Sequence, residues 1–93
     1  MVKSQTQTML DLNDLKMVKS AYSDFQNGIF SVIHYGTTIL SHDFNKSVTE
    51  INFNCSVTSD KQIYRALAIL EIELKNCINV HSGKKYNESG ANE

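Results

Sequence analysis

Residues 29–57 read IFSVIHYGTTILSHDFNKSVTEINFNCSV and hold three runs rich in β-branched and aromatic residues, at 29–35, 38–44 and 49–57. Short segments of turn composition, 36–37 and 45–47, separate these runs. In the third run apolar and polar residues alternate, as in a strand with one buried face and one wet face. Because short loops join the runs, we predict an antiparallel three-stranded meander.

Helical periodicity precedes this meander. Four apolar residues recur at steps of three, four and three: Leu15, Val18, Tyr22 and Phe25. Asp11 is of a residue type that caps helices at their N-terminus, and Asn27-Gly28 favours a left-handed helix end. We therefore predict a first helix that begins at Asp11 and ends at Asn27.

A second helix is predicted after the meander. Ser59 and Gln62 have the spacing of a capping box. The residues behind them form an apolar stripe: Ile63, Leu67, Leu70, Leu74 and Cys77. We expect this helix to end near residues 75–76 and residues 78–80 to add a short strand.

The predicted fold class is α+β. A three-stranded sheet with one apolar face needs a cover, and two amphipathic helices supply it, which gives a two-layer αβββα domain. Residues 9–81 form this single domain. Residues 1–8 are expected to be a loose N-terminus, and residues 82–93 a mobile polar tail.

Composition limits the classes of function. The chain has 93 residues, of which 41% are hydrophobic, and its formal net charge of -1 offers no overall attraction to nucleic acid or acidic lipid. No tract approaches the roughly 18 apolar residues of a membrane helix. No apolar segment follows Lys3, so a secretory signal is not predicted, and we expect a soluble, cytoplasmic protein.

Residues that could carry chemistry do not form a catalytic motif. The sequence has no phosphate-binding glycine loop and no nucleophile elbow. His34 and His42 lie on consecutive predicted strands and are expected to be partly exposed, while Asp43 points to the opposite face from His42. An enzyme would need these three residues around a pocket. We therefore predict no enzyme, no catalytic residue, no metal site and no cofactor.

Two cysteines are expected to serve packing. Cys55 falls on the buried face of the third predicted strand, and Cys77 closes the apolar stripe of the second helix. Because both face the core, their oxidation to a disulfide is left open as an alternative.

The first predicted strand is expected to be an unprotected edge of the sheet, because only His34 interrupts its apolar and small residues. We predict a protein-binding surface made of this edge and the wet face of the third strand: Ile29, Ser31, Ile33, Tyr35, Glu50, Asn52 and Asn54. Such an edge also favours a homodimer through a continuous sheet. In the alternative left open, the tail or residues 78–80 cover it.

A second function class, a small nucleic-acid-binding regulator, stays open. Its predicted contact residues are basic: Lys61, Arg65, Lys84 and Lys85.

Two segments carry a resemblance. Residues 31–39, SVIHYGTTI, and residues 55–61, CSVTSDK, resemble a pattern in small uncharacterised α+β proteins of phages and archaeal viruses. The likeness covers residues 29–67, and Thr38 stands where many such chains have proline. It brings no catalytic residue with it. It implies an accessory or regulatory protein of a virus or mobile element, acting in the host cytoplasm.

Overall fold

Five strands form one sheet in the order β1-β2-β3-β4-β5 in the computed structural model, which describes residues 4–53 and 57–86. The elements are α1 (Gln5–Asn13), β1 (Ala21–Gln26), β2 (Ile29–His34), β3 (Thr37–Asp43), β4 (Val48–Ile51), α2 (Val57–Leu70), a 3-10 helix (Leu74–Asn76) and β5 (Ile78–Asn79). The first four strands pair antiparallel, and β5 runs parallel to β4. The two α-helices pack on one face of the sheet, so the fold is α+β, and β1 is the one strand of the five that was not predicted.

The predicted first helix, residues 11–27, is wrong from residue 14 onward, so only its first three residues are helical. α1 ends at Asn13, and residues 21–26 extend as β1. Asn27 and Gly28, expected to stop a helix, instead have φ values of 56° and 80° and form the two-residue turn that pairs β1 with β2. Left-handed residues at both positions are the signature of a tight hairpin turn, and this turn pairs residues 21–26 with β2 as a strand.

The start of α1 also differs from the prediction. Ser4 caps the helix, and its hydroxyl oxygen accepts a hydrogen bond of 3.1 Å from the Gln7 amide. Residues 5–8, predicted to be loose, are therefore helical, and Asp11 lies inside the helix rather than at its cap.

The antiparallel meander over β2, β3 and β4 is confirmed. Its first turn, Tyr35-Gly36, lies one residue earlier than predicted. In the second turn, Asp43 Oδ1 accepts hydrogen bonds from the backbone amides of Asn45 and Lys46, at 2.8 and 3.1 Å. These local side-chain bonds explain why residues 44–47 reverse the chain.

The third predicted strand is shorter than expected, because β4 ends at Ile51 and α2 begins at Val57. Ser59 is therefore not the N-cap of α2 but lies in its first turn. The predicted position of Cys55 falls outside the described residues. The short strand predicted over residues 78–80 is present as β5.

The core lies between the helices and one sheet face. It consists of Leu12, Leu15, Phe30, Val32, Ile39, Leu40, Ile51, Ile63, Ala66, Leu67, Cys77 and Tyr86. Tyr86, predicted to belong to the tail, is buried because Lys85 bridges to Ile78 and the tyrosine ring packs at 5.5 Å from the Phe53 ring. None of the described helices is long and apolar enough to cross a lipid bilayer.

Candidate functional site

The exposed edge of the sheet is β1, not the predicted β2. β2 pairs with β1 on one side and with β3 on the other, so its backbone groups are used. The edge prediction for residues 29–35 is wrong because residues 21–26 supply an additional strand. Within the described part of the chain, β1 pairs with β2 alone.

β1 is exposed along its length. Every residue from Tyr22 to Gln26 is exposed, and Tyr22 and Phe25 leave 57% and 47% of their surface uncovered. Phe25 pairs with Phe30, which is buried beneath the helices, so both rings are on the helix-covered side of the sheet. The exposure of Phe25 therefore shows that the helical layer stops before it reaches β1.

The backbone of β1 offers hydrogen-bonding groups to the outside. The Ser20 carbonyl accepts a bond of 3.1 Å from the Tyr35 amide, which sets the alternation along the hairpin. The even-numbered residues of β1, like Ser20, form their backbone hydrogen bonds with β2. The amide and carbonyl groups of the odd-numbered residues Ser23 and Phe25 therefore point away from the sheet. The Ala21 amide also points outward but donates to the Val18 carbonyl at 3.1 Å.

The opposite edge is protected. β5 has only two residues, and Ile78 forms a bridge to Lys85 on its outer side. The Asn79 amide donates to the Lys84 carbonyl at 2.9 Å, which fastens the same segment. The chain thus covers the β5 edge and leaves β1 without proline or lysine, the residues that commonly block edge pairing.

The face of the sheet away from the helices is acidic. Register places one row of residues across all five strands on this open face: Asp24, Ser31, Ser41, Glu50 and Ile78. Asp43 belongs to the next row, between Ile29 and Val48. A groove of about 340 Å³ on this face is lined by Ile29, Ser41, Asp43, Lys46, Val48, Glu50 and Ile78. Three carboxylates, Asp24, Asp43 and Glu50, against one lysine make the open face acidic.

The predicted protein-binding residues do not form one surface. Ser31, Ile33 and Glu50 lie on the open face of the sheet, and Ile29 lies there too, 37% exposed. The remaining predicted residues are separate: Tyr35 lies in a turn and is 72% exposed, Asn52 Oδ1 lies 2.8 Å from His81 Nε2, and Asn54 is outside the described residues. Sequence reasoning missed Tyr22, Ser23 and Phe25, although the Asn27-Gly28 pair was a signal for a hairpin.

The basic residues predicted to contact nucleic acid are distributed over α2 and the segment after β5. Lys61, Lys84 and Lys85 are exposed. Arg65 is half-buried, and its guanidinium donates to the Lys16 carbonyl at 3.3 Å. This bond uses part of the donor capacity that phosphate recognition would need.

His34 is buried, contrary to the prediction, and contacts Ser59. Its Nδ1 lies 2.6 Å from the Ser59 hydroxyl, and its Nε2 lies 3.1 Å from the Lys19 carbonyl. Because a carbonyl only accepts, Nε2 donates and Nδ1 accepts the hydroxyl proton. Ser59 is 0% exposed and His34 is 6% exposed, so the pair joins α2 to the end of β2 and has no opening for a substrate.

His42 is buried as well, so the prediction of partial exposure is wrong for both histidines. Its Nδ1 lies 2.7 Å from the Thr49 hydroxyl, and burial lowers the pKa of His42 while the Asp43 carboxylate opposes that effect. His42 pairs with Phe30, four residues from His34, or about 13 Å along the strand. Among the described residues, no three histidine, cysteine or carboxylate side chains come together in a metal-binding group.

Cys77 serves packing in the described structure. It is fully buried, and burial raises the pKa of its thiol to about 11. The thiol donates weakly to the Glu73 carbonyl at 3.6 Å. A protonated, buried thiol is a poor nucleophile.

Comparison with known proteins gives no match: no family model, no curated protein and no solved structure corresponds to this chain. The functional proposal therefore rests on the geometry of β1 and of the open face.

Proposed function

We propose that this protein is a small, non-enzymatic accessory protein that binds an extended protein segment by strand addition at β1. The observation that carries the proposal is the edge itself. The amide and carbonyl groups of Ser23 and Phe25 point outward, and no strand covers them within the described residues. An extended partner segment would continue the ladder there.

The distribution of apolar surface supports this edge. Half of the exposed large apolar side chains among the described residues lie on β1, on β2 or in the turn after it: Tyr22, Phe25, Ile29 and Tyr35. Aromatic residues are enriched at protein interfaces because they bury a large area at a small cost in conformational entropy. The backbone hydrogen bonds of β1 would supply affinity for the partner, and these side chains would supply specificity.

The charge of the open face favours a protein partner over nucleic acid. Asp24 on β1, and Asp43 and Glu50 farther across the open face, would repel phosphates. In the alternative, Lys61, Lys84 and Lys85 would bind nucleic acid, and a gel-shift assay should then show affinity that falls by about 0.9 log units per log of salt for each phosphate contact. We expect no shift at low salt.

Two further parts of the proposal concern class and source. The buried positions of His34 and Ser59 support a non-enzymatic role, because this His–Ser pair lacks access to substrate. A viral or mobile-element source, with action in the host cytoplasm, is the expectation that the resemblance of residues 29–67 carries.

Photocrosslinking in the native host tests strand addition. Phe25 and Tyr64 are aromatic and similarly exposed, at 47% and 53%, but Tyr64 lies on α2. We expect a photoreactive phenylalanine analogue at position 25 to capture a defined protein, and the same analogue at position 64 not to do so.

A matched pair of edge variants completes this test. Ser23→Pro removes an outward-pointing amide and leaves the bonds to β2 in place, whereas Ser23→Thr keeps the amide. The crosslink from position 25 should disappear in S23P and persist in S23T. Equal crosslinking from positions 25 and 64, or an unchanged yield in S23P, would contradict the proposal.

A further inference from the structure

We propose that the segment added to β1 is the β1 of a second copy of this chain, in an antiparallel pairing centred on Ser23. This inference rests on strand addition at β1 and adds the identity of the partner. The two sheets would become one continuous ten-stranded sheet with a two-fold axis between the two Ser23 residues.

The outward-pointing groups fix which registers are allowed. Residues that point outward on one strand must lie opposite residues that point outward on the other. With Ser23 at the axis, each Ser23 exchanges hydrogen bonds with Ser23 of the partner subunit. Phe25 then donates to Ala21 of the partner subunit, whose carbonyl points outward while its amide is held by Val18.

Neighbouring registers are less favourable. Centring on Asp24 would place two carboxylates directly opposite each other, which is destabilising in a sheet. Centring on Tyr22 would pair Ser23 with the partner's Ala21, whose amide already donates to the Val18 carbonyl. The register centred on Ser23 places Asp24 opposite the partner's Tyr22, so the one charged residue of β1 meets a neutral hydroxyl group.

Side chains on the helix side of the sheet also fit this register. Phe25 lies opposite the partner's Ala21, and a small residue leaves room for the ring to lie across the junction. Phe25 is half exposed in the monomer because the helices stop before β1. The second copy would cover this ring, as the helices cover Phe30.

The charge of the chain permits self-association. A net charge of -1 gives little repulsion between two copies. One strand pair buries a small area, which is typical of weak and transient complexes. We therefore expect a dimer that forms and dissociates between roughly 10 μM and 1 mM.

Sedimentation equilibrium tests the dimer and its surface. Wild type and S23T should associate reversibly, and S23P should raise the dimer Kd by about tenfold or more, with circular dichroism confirming that S23P is folded. If S23P does not fold, Ser23→Lys and Ser23→Glu replace it, because like charges then meet at the axis. Each should be monomeric alone, and the mixture should restore the dimer.

Cysteine crosslinking tests the register in a Cys55→Ser background. Paired residues in an antiparallel ladder lie about 5.5 Å apart between Cα atoms, within disulfide range. Ser23→Cys should form a covalent dimer under mild oxidation. Tyr22→Cys and Asp24→Cys should crosslink efficiently only when the two variants are mixed, and exposed Lys61→Cys gives the rate of random collision.

The outcomes separate the two proposals. If the protein stays monomeric at 1 mM, the proposal that the partner is a second copy is wrong. An S23P-sensitive crosslink from position 25 to another protein would still support strand addition. A dimer equally stable in S23P, S23K and S23E would place the interface elsewhere and overturn the inference. Crosslinking of Y22C with itself, and not with D24C, would overturn the register.

Discussion

Tyr35 and Asn27 occupy equivalent positions in the two tight hairpins of the sheet. Each is the first residue of a two-residue turn, with φ of 51° for Tyr35 and 56° for Asn27, and each is followed by glycine. Asparagine tolerates this left-handed conformation, whereas a bulky aromatic residue is strained there. A strained and exposed tyrosine fits a role of its side chain in binding.

This strain gives a prediction with a matched control. Tyr35→Asn should stabilise the protein by about 0.5 kcal/mol, because relief of backbone strain exceeds the loss of the ring contact with His34. Asn27→Tyr should destabilise it by a similar amount, about 0.5–1 kcal/mol. Urea denaturation measures both, and a destabilised Y35N variant would mean that the ring contact outweighs the strain.

Among the elements, α2 is the one whose buried face was best predicted. Its stripe places Ile63 and Leu67 in the core, at 0% and 4% exposure. Leu67→Ala should therefore cost about 2–5 kcal/mol of unfolding free energy, because it leaves a cavity between the helix and the sheet. Exposed Ala68→Ser is the control and should change the unfolding free energy by no more than about 0.5 kcal/mol. A comparable loss of unfolding free energy in both variants would show that the wrong face of α2 has been assigned to the core.

The segment from Leu15 to Phe25 shows why part of the fold could not be predicted. Leu15, Val18, Tyr22 and Phe25 have helical spacing, and residues 21–26 do not alternate between apolar and polar, although they form a strand. The hairpin with β2 through Asn27-Gly28 overrides the helical spacing, and this turn was interpreted as a helix end. Because this strand was missed, β2 was assigned to the edge.

The His34–Ser59 contact was beyond prediction because it is long-range. The two residues are separated by 25 positions in the chain, and the local pattern around Ser59 favours an N-cap. By contrast, the β2–β3 hairpin and the α2 stripe depend on local turn chemistry and periodicity. These features could therefore be predicted from the sequence, although α2 ends at Leu70 and not near residues 75–76.

For the whole molecule, the burial of His42 links stability to pH. The folded state lowers the pKa of His42 below 6.5 through burial, so the unfolded chain binds this proton more tightly than the folded chain does. The contribution is complete above about pH 6.5 and is lost as pH falls toward the lower, folded-state pKa. The protein should therefore unfold more easily at about pH 5 than at about pH 7.

Comparison with His42→Asn isolates this effect, because an amide can bond to Thr49 but does not titrate in this range. The unfolding free energy of H42N should depend less steeply on pH between about 5 and 7 than that of the wild type. His42 lies on the face of the sheet that the helices cover. We therefore expect the contact of Ser59 and the core beneath α2 to be lost in the same unfolding transition. Equal slopes in wild type and H42N would show that His42 has the same pKa in the folded and unfolded states, and this would contradict the prediction.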